Sequence, residues 1–105
     1  MHKIRFSPEA ANDLEQTKNY ITEELGSESS AIRTVSDILG RIRTLGDFPQ
    51  IGAPLSSIVK IDTDYRFLVC GNYTAFYRVD GETVFIIRVL YGKRNFMEIL
   101  FGRSE

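Results

Sequence analysis

The sequence predicts an α+β fold. It holds an N-terminal strand, a two-helix hairpin and a small, mainly antiparallel sheet, in the order β-α-α-β-β-β-α. Three observations carry this reading. Between Pro8 and Leu45 apolar residues recur at three- and four-residue steps, the period of amphipathic helices. From Tyr65 onward the chain turns to runs of aromatic and β-branched residues, the composition of strands. Gly71-Asn72 and Asp80-Gly81 then cut that region into strand-length pieces.

Ile4 and Phe6 alternate with Lys3 and Arg5, which makes a short strand with one apolar face. Ser7-Pro8 reads as an N-cap followed by proline at the first helical position, with Glu9 in the first turn. Ala10, Leu14, Thr17, Ile21 and Leu25 fall within about 80° of a helical wheel, and Gly26 ends that helix. Ser27 to Ser30 offers new caps. Ala31, Val35, Ile38, Leu39, Ile42 and Leu45 form a second stripe, closed by Gly46 and Pro49. The short link makes the two helices an antiparallel hairpin. Gly40, inside the second helix, is a candidate for close packing against an unknown neighbour.

Asp47 to Asp64 is punctuated by Gly, Pro and Ser and reads as a loop, with an extended piece near Ile58 to Ile61. Strands follow at Tyr65–Cys70, Tyr73–Val79 and Thr83–Tyr91. Asp80-Gly81 predicts a type I′ turn, and Gly71-Asn72 one of the same manner. The last strand is apolar on both faces, Val84, Ile86 and Leu90 on one and Phe85, Ile87 and Val89 on the other. It therefore belongs inside the sheet. Asn95 stands where it caps a short helix, Phe96 to Leu100, ahead of Phe101.

The 105 residues make one domain spanning 1–105, with a single modest core. Apolar residues are 43% and charged residues 26%, which excludes global disorder, and no apolar run reaches the length of a membrane span. Met1-His2-Lys3-Ile4-Arg5 leads directly into strand-like sequence, so no signal peptide is expected. The lone Cys70 reads as a small buried hydrophobe and suits a reducing cytoplasm. The only histidine is His2, near the terminus, so neither a histidine triad nor a metal site is expected, and no cofactor.

The net charge is −1, which excludes a wholly basic nucleic-acid binder. The charge is unevenly spread. From Tyr65 to Arg103 the bases Arg66, Arg78, Arg88, Lys93, Arg94 and Arg103 face only Asp80, Glu82 and Glu98. No P-loop, dinucleotide fingerprint, nucleophile elbow or zinc-protease motif is present. Attention falls on Arg88 to Asn95. Arg88 interrupts an apolar strand and needs a partner or an exit to solvent. Tyr91, Lys93 and Arg94 sit around a glycine turn, and Arg66 comes close if its strand is a neighbour. Two readings stand. These residues hold phosphates and bases at the sheet rim, or they pair with Asp62, Asp64 or Glu98.

The chain resembles the RelE/ParE superfamily, the toxins of type II toxin–antitoxin pairs. The resemblance rests on Phe6-Ser7-Pro8-Glu9-Ala10, on Leu45-x-x-Phe48-Pro49-x-x-Gly52, and on Tyr65-Arg66-x-Leu68-Val69. It extends through Gly71-Asn72-Tyr73-x-x-Phe76-Tyr77-Arg78-Val79 and Val84-x-Ile86-x-Arg88-Val89-Leu90-Tyr91-Gly92-x-Arg94. It implies a cytoplasmic protein that inhibits growth, of the kind tied to plasmid stabilisation, neutralised by a cognate antitoxin and free of any membrane.

Two activities follow from the resemblance. ParE-like members inhibit DNA gyrase without acting as nucleases. RelE-like members cleave mRNA on the ribosome and carry lysines on the first meander strand and an arginine after the tyrosine that opens the second. Here that first strand has no lysine, and Thr74 follows Tyr73. The C-terminal arginine of the nucleases matches Arg94. Many ParE-like chains have His and Asp where this one has Tyr91 and Asn95. The reading is therefore a gyrase inhibitor rather than an enzyme. The alternative is a ribosome-dependent endoribonuclease using Arg94, Tyr91 and Lys93, with Arg66. Candidate target- or partner-binding residues are Arg66, Arg88, Tyr20 and Phe101. Tyr20 reads as an exposed anchor or the margin of the stripe, and Phe101 as core or interface.

Overall fold

The structure, a computed structural model, describes residues 1–103. Its elements are β1 (Lys3–Phe6), α1 (Pro8–Glu24), α2 (Glu28–Arg43), β2 (Ala53–Pro54), β3 (Arg66–Cys70), β4 (Tyr73–Asp80), β5 (Thr83–Tyr91) and α3 (Phe96–Phe101). Single 3-10 turns follow α2 at Thr44–Gly46 and β2 at Leu55–Ser57. The sheet order is β1-β5-β4-β3-β2, with β1 parallel to β5 and all other neighbours antiparallel. The predicted class and element order hold. The expected extended piece at Ile58 to Ile61 is not a strand, and β2 lies earlier, at Ala53–Pro54.

The caps are those the residue types call for. The Ser7 hydroxyl accepts from the Ala10 N–H at 2.9 Å, and the Ser27 hydroxyl from the Ser30 N–H at 3.1 Å. Gly26 turns the chain between helices with φ +67°. Of the α2 stripe, Ala31, Ile38, Ile42 and Leu45 are buried, and Val35 and Leu39 are half-buried. Asn95 stands at the start of α3, but its side chain makes no capping bond, and its backbone is left-handed with φ +57°.

Two apolar clusters lie on the two sides of the sheet. On the hairpin side Ala10, Ile38, Ile42 and Leu45 pack with Leu68, Cys70, Ala75, Tyr77, Val84, Ile86 and Val89. On the other side Leu55, Phe76, Leu90 and Phe96 are joined by Tyr65, Phe67 and Phe101. Here the Phe76 and Phe96 rings stack with centroids 5.6 Å apart. Burial pushes the Cys70 thiol up from its ordinary pKa, with Arg41 only partly offsetting it.

Two local readings are corrected by the backbone. Strand β5 pairs Arg88 with Phe76 but Ile86 with Tyr77, so Ile87 is an extra residue in a bulge. The bulge shifts the phase. Val89, not Leu90, joins Val84 and Ile86 on the hairpin side, and Leu90 goes to the opposite cluster. The hairpin turns also differ from expectation. Asp80 is paired with Thr83, so the turn residues are Gly81 and Glu82, and only Gly81 has positive φ. Gly71-Asn72 likewise has positive φ at the glycine alone. Both therefore follow the type II′ pattern, which needs glycine only at the first turn position.

The loop after α2 is fixed by a polar clamp. The buried Tyr77 hydroxyl donates to the Pro49 carbonyl at 2.8 Å and accepts from the Gly52 N–H at 3.1 Å. Arg66 donates to the carbonyls of Gln50 and Gly52 at 3.1 and 2.6 Å. A Cβ on Gly52 would stand 2.5 Å from the Phe67 carbonyl oxygen and 2.6 Å from the Tyr77 hydroxyl. This explains the Phe48-Pro49-x-x-Gly52 pattern, since the loop approaches the sheet too closely for any side chain.

Gly52→Ala is accordingly expected to cost roughly 1–3 kcal/mol, the range for overpacking, read from urea denaturation. Gly40 behaves oppositely, because a Cβ there meets nothing within 4 Å. Gly40→Ala is expected to stabilise the fold by about 0.5–1 kcal/mol through helix propensity alone.

Candidate functional site

Strand β1 pairs with β5 only from Thr83 to Ile86, so the rest of the β5 edge, to Tyr91, has no strand beside it. Ser7, the N-cap of α1, and Asp13, within that helix, take its place. The Ser7 N–H donates to the Ile86 carbonyl at 2.9 Å and the Ser7 hydroxyl to the Ile87 carbonyl at 2.7 Å. The Asp13 carboxylate accepts from the Val89 N–H at 2.9 Å. The same carboxylate receives the Arg88 guanidinium in a two-pronged pair, 2.8 Å at each bond. Asp13 is only 7% exposed. Its bonds to Arg88 push the guanidinium above its ordinary pKa, against a smaller effect of burial.

Beyond this pair the two helices and the sheet diverge and leave an open groove of about 1130 Å³. Its walls come from α1, α2, the Gly71–Tyr73 turn, the end of β5 and α3. Tyr20 (57% exposed), Leu25 (64%), Tyr91 (58%) and Ile99 (37%) all line it, a concentration of apolar surface on one face. The Tyr73 and Tyr91 rings meet edge to face at 5.3 Å. Burial pushes the Tyr73 phenol up, and a bond with Thr17 partly offsets it.

The predicted site residues separate into three sets. Arg94, Tyr91 and Tyr20 line the groove, and so does Arg88, which is also held by Asp13. Lys93 lies instead over the Phe67 ring, 5.0 Å from its centroid, beside the opposite apolar cluster. Arg66, Arg88 and Phe101 have internal partners. These are the loop carbonyls of Gln50 and Gly52 for Arg66, Asp13 for Arg88, and the Tyr65 ring at 5.4 Å for Phe101. Of the acids expected to pair with bases, Asp64 does so, with Arg78 at 3.3 Å. Among the described residues no group of three or more His, Cys, Asp or Glu side chains is placed to hold a metal ion. No helix among them is long and apolar enough to cross a membrane.

Sequence reasoning missed Asp13, which looks like one more polar residue of α1. The available signal was indirect, since Arg88 inside an apolar strand demands an anionic partner somewhere.

A helical hairpin on one face of a β1-β5-β4-β3-β2 sheet, with a groove of mixed apolar and polar lining at its open end, defines a small toxin fold. The chain belongs to the family of ParE toxins of type II toxin–antitoxin systems, which it matches over residues 4–96. It is similar in structure to a chromosomal ParDE toxin–antitoxin system from P. aeruginosa, with a TM-score of 0.74, 24% identity, 88% of this chain covered and 97% of that one. It is also similar to a chain of the RelBE2 toxin–antitoxin complex of Mycobacterium tuberculosis, with a TM-score of 0.54, 21% identity and coverage of 86% and 96%. A further likeness is to a variant of YafQ from E. coli, with a TM-score of 0.51, 15% identity and coverage of 97% and 100%. No curated protein matches the sequence.

Asp13→Ala is expected to cost roughly 3 kcal/mol in denaturant unfolding, at the low end for a broken buried pair because Arg88 is partly exposed. The double change Asp13→Leu with Arg88→Met is expected to recover much of that loss, since it leaves no unpaired charge.

Proposed function

We propose that this chain acts in the cytoplasm by inhibiting DNA gyrase without cutting RNA, and that a cognate antitoxin silences it by occupying the groove. The observation that carries the first half is the separation of Tyr91 and Arg94 from Lys93. Cleavage through a ribose 2′-hydroxyl needs a base, an acid and phosphate stabilisation converging on one reacting centre. Here Tyr91 and Arg94 line the groove while Lys93 sits over Phe67 at the opposite cluster. Arg66, the other candidate, already holds two loop carbonyls. Thr74, at the position where the resemblance puts an arginine in nucleases, is 2% exposed. Membership of the ParE family supports the gyrase reading.

The second half rests on the groove's chemistry. Tyr20, Leu25, Tyr91 and Ile99 offer apolar anchors to one face of an amphipathic helix, and Arg94 and Arg41 suit acidic residues at its margins. The similarity to solved toxin–antitoxin complexes supports a partner of this kind. A segment that is disordered alone gains its binding surface by ordering there.

The test adds the purified chain to a cell-free translation reaction programmed with ready-made mRNA and free of DNA, and separately to a gyrase supercoiling assay. Protein synthesis and mRNA length are expected to stay unchanged, and supercoiling to fall. Codon-phased cuts in the mRNA would establish the ribonuclease instead. Arg94→Ala is expected to abolish growth inhibition at an unchanged melting temperature. A large drop in Tm would make Arg94 structural.

A further inference from the structure

Five charged side chains line the groove, and two of them, Asp13 and Arg88, are spent on each other. Asp37, Arg41 and Arg94 remain, all exposed. Among the described residues none of these three forms an ion pair. Asp37 and Arg41 stand four residues apart on α2, with the acid nearer the N-terminus. That is the arrangement in which two such side chains pair most readily along a helix. They do not pair. Arg41 turns to the sheet instead, where its Nε donates to the Val69 carbonyl at 3.3 Å, a long bond from an exposed side chain.

The α1 side of the groove offers nothing similar. Gln16, Thr17, Tyr20, Ile21 and Leu25 are uncharged, and Asp13 is already taken. Apolar contacts accept many side chains of suitable size, whereas like charges brought together reject a partner. The α2 wall is thus the part of the groove that presents both signs of charge, one helical turn apart.

We propose that Asp37 and Arg41 select the cognate antitoxin by pairing with one basic and one acidic side chain a single turn apart on its helix. The proposal rests on the reading of the groove as the antitoxin's seat. The spacing fits. Four residues of α2 rise about 6 Å, and residues three or four apart on a second helix alongside lie about 5–6 Å from each other. A base meets Asp37 and an acid meets Arg41, which leaves only one long bond behind to do so. A partner with the two charges exchanged brings like charges together at both positions. The order of the pair follows from the direction of the helix. An antitoxin helix antiparallel to α2 carries the acid before the base, and a parallel one carries the base first.

The test measures affinity by isothermal titration between this chain and the antitoxin encoded beside it. Asp37→Arg combined with Arg41→Glu is expected to weaken binding about tenfold or more, at an unchanged Tm because both sites are exposed. At about 1 M salt, where the screening length falls to roughly 3 Å, the gap between the two forms is expected to shrink to a few-fold. A gap of the same size at high salt would mark a loss of shape rather than of charge and overturn the proposal. Each charged residue of the antitoxin helix is then reversed in turn. One reversal of a base is expected to restore binding to the Asp37→Arg form, and one reversal of an acid to the Arg41→Glu form, at positions three or four apart. Should the double reversal lower Tm, Asp37→Asn with Arg41→Gln replaces it, with a few-fold loss expected. Affinity untouched by these changes in a complex that Tyr20→Ala still weakens would overturn selection by charge and leave the groove reading standing. Failure of any complex to form would remove the antitoxin reading and the proposal together.

Discussion

The Asp13 carboxylate is the constraint on which the groove depends. Strand β1 is too short to cover β5, and a bulge at Ile87 re-aims the strand just where that cover ends. One buried carboxylate answers both problems. It accepts the Val89 N–H that a longer β1 would have taken, and it holds Arg88 in a two-pronged pair. Because Asp13 belongs to α1, the same bonds fix where the helical hairpin sits on the sheet. A buried ion pair of this kind adds little net stability over an apolar substitute. Its value here is positional, since it sets the start of the groove and keeps the uncovered edge of β5 from pairing with another strand.

A second polar clamp does the same at the far end. Tyr77 and Arg66 hold the Pro49–Gly52 loop to the sheet, and the close approach at Gly52 leaves no space for a side chain. Between the two clamps the sheet is apolar on both sides. The hairpin covers one side, and α3 with the loop after β2 covers the other through the Phe76–Phe96 stack. Arg66 and Arg88 thus organise the fold. The cationic character of the C-terminal half narrows accordingly. Arg66, Arg78 and Arg88 are all engaged within the fold, which leaves the turn after β5 as its main outward expression.

That turn points in two directions. Tyr91 and Arg94 belong to the groove and Lys93 to the opposite side, where it covers Phe67. The turn therefore presents its side chains to two different surfaces.

The class, the order of elements and most helix and strand limits are legible in the amino-acid sequence. These depend on hydrophobic period, caps and glycine turns, all local features. It also fixed that Arg88 needs a partner and that Cys70 is interior. It misjudged the turn type at Asp80-Gly81, because the register of pairing decides which two residues form the turn. It placed Leu90 on the wrong side of β5, because a bulge leaves no trace in the alternation. That Asp13 is the partner of Arg88, that Arg66 serves the loop, and that Tyr91 and Lys93 part company emerges only in the folded chain. Each of these is a contact between residues distant in the chain, or a direction taken by a side chain after a turn. Neither is encoded in the spacing of neighbours.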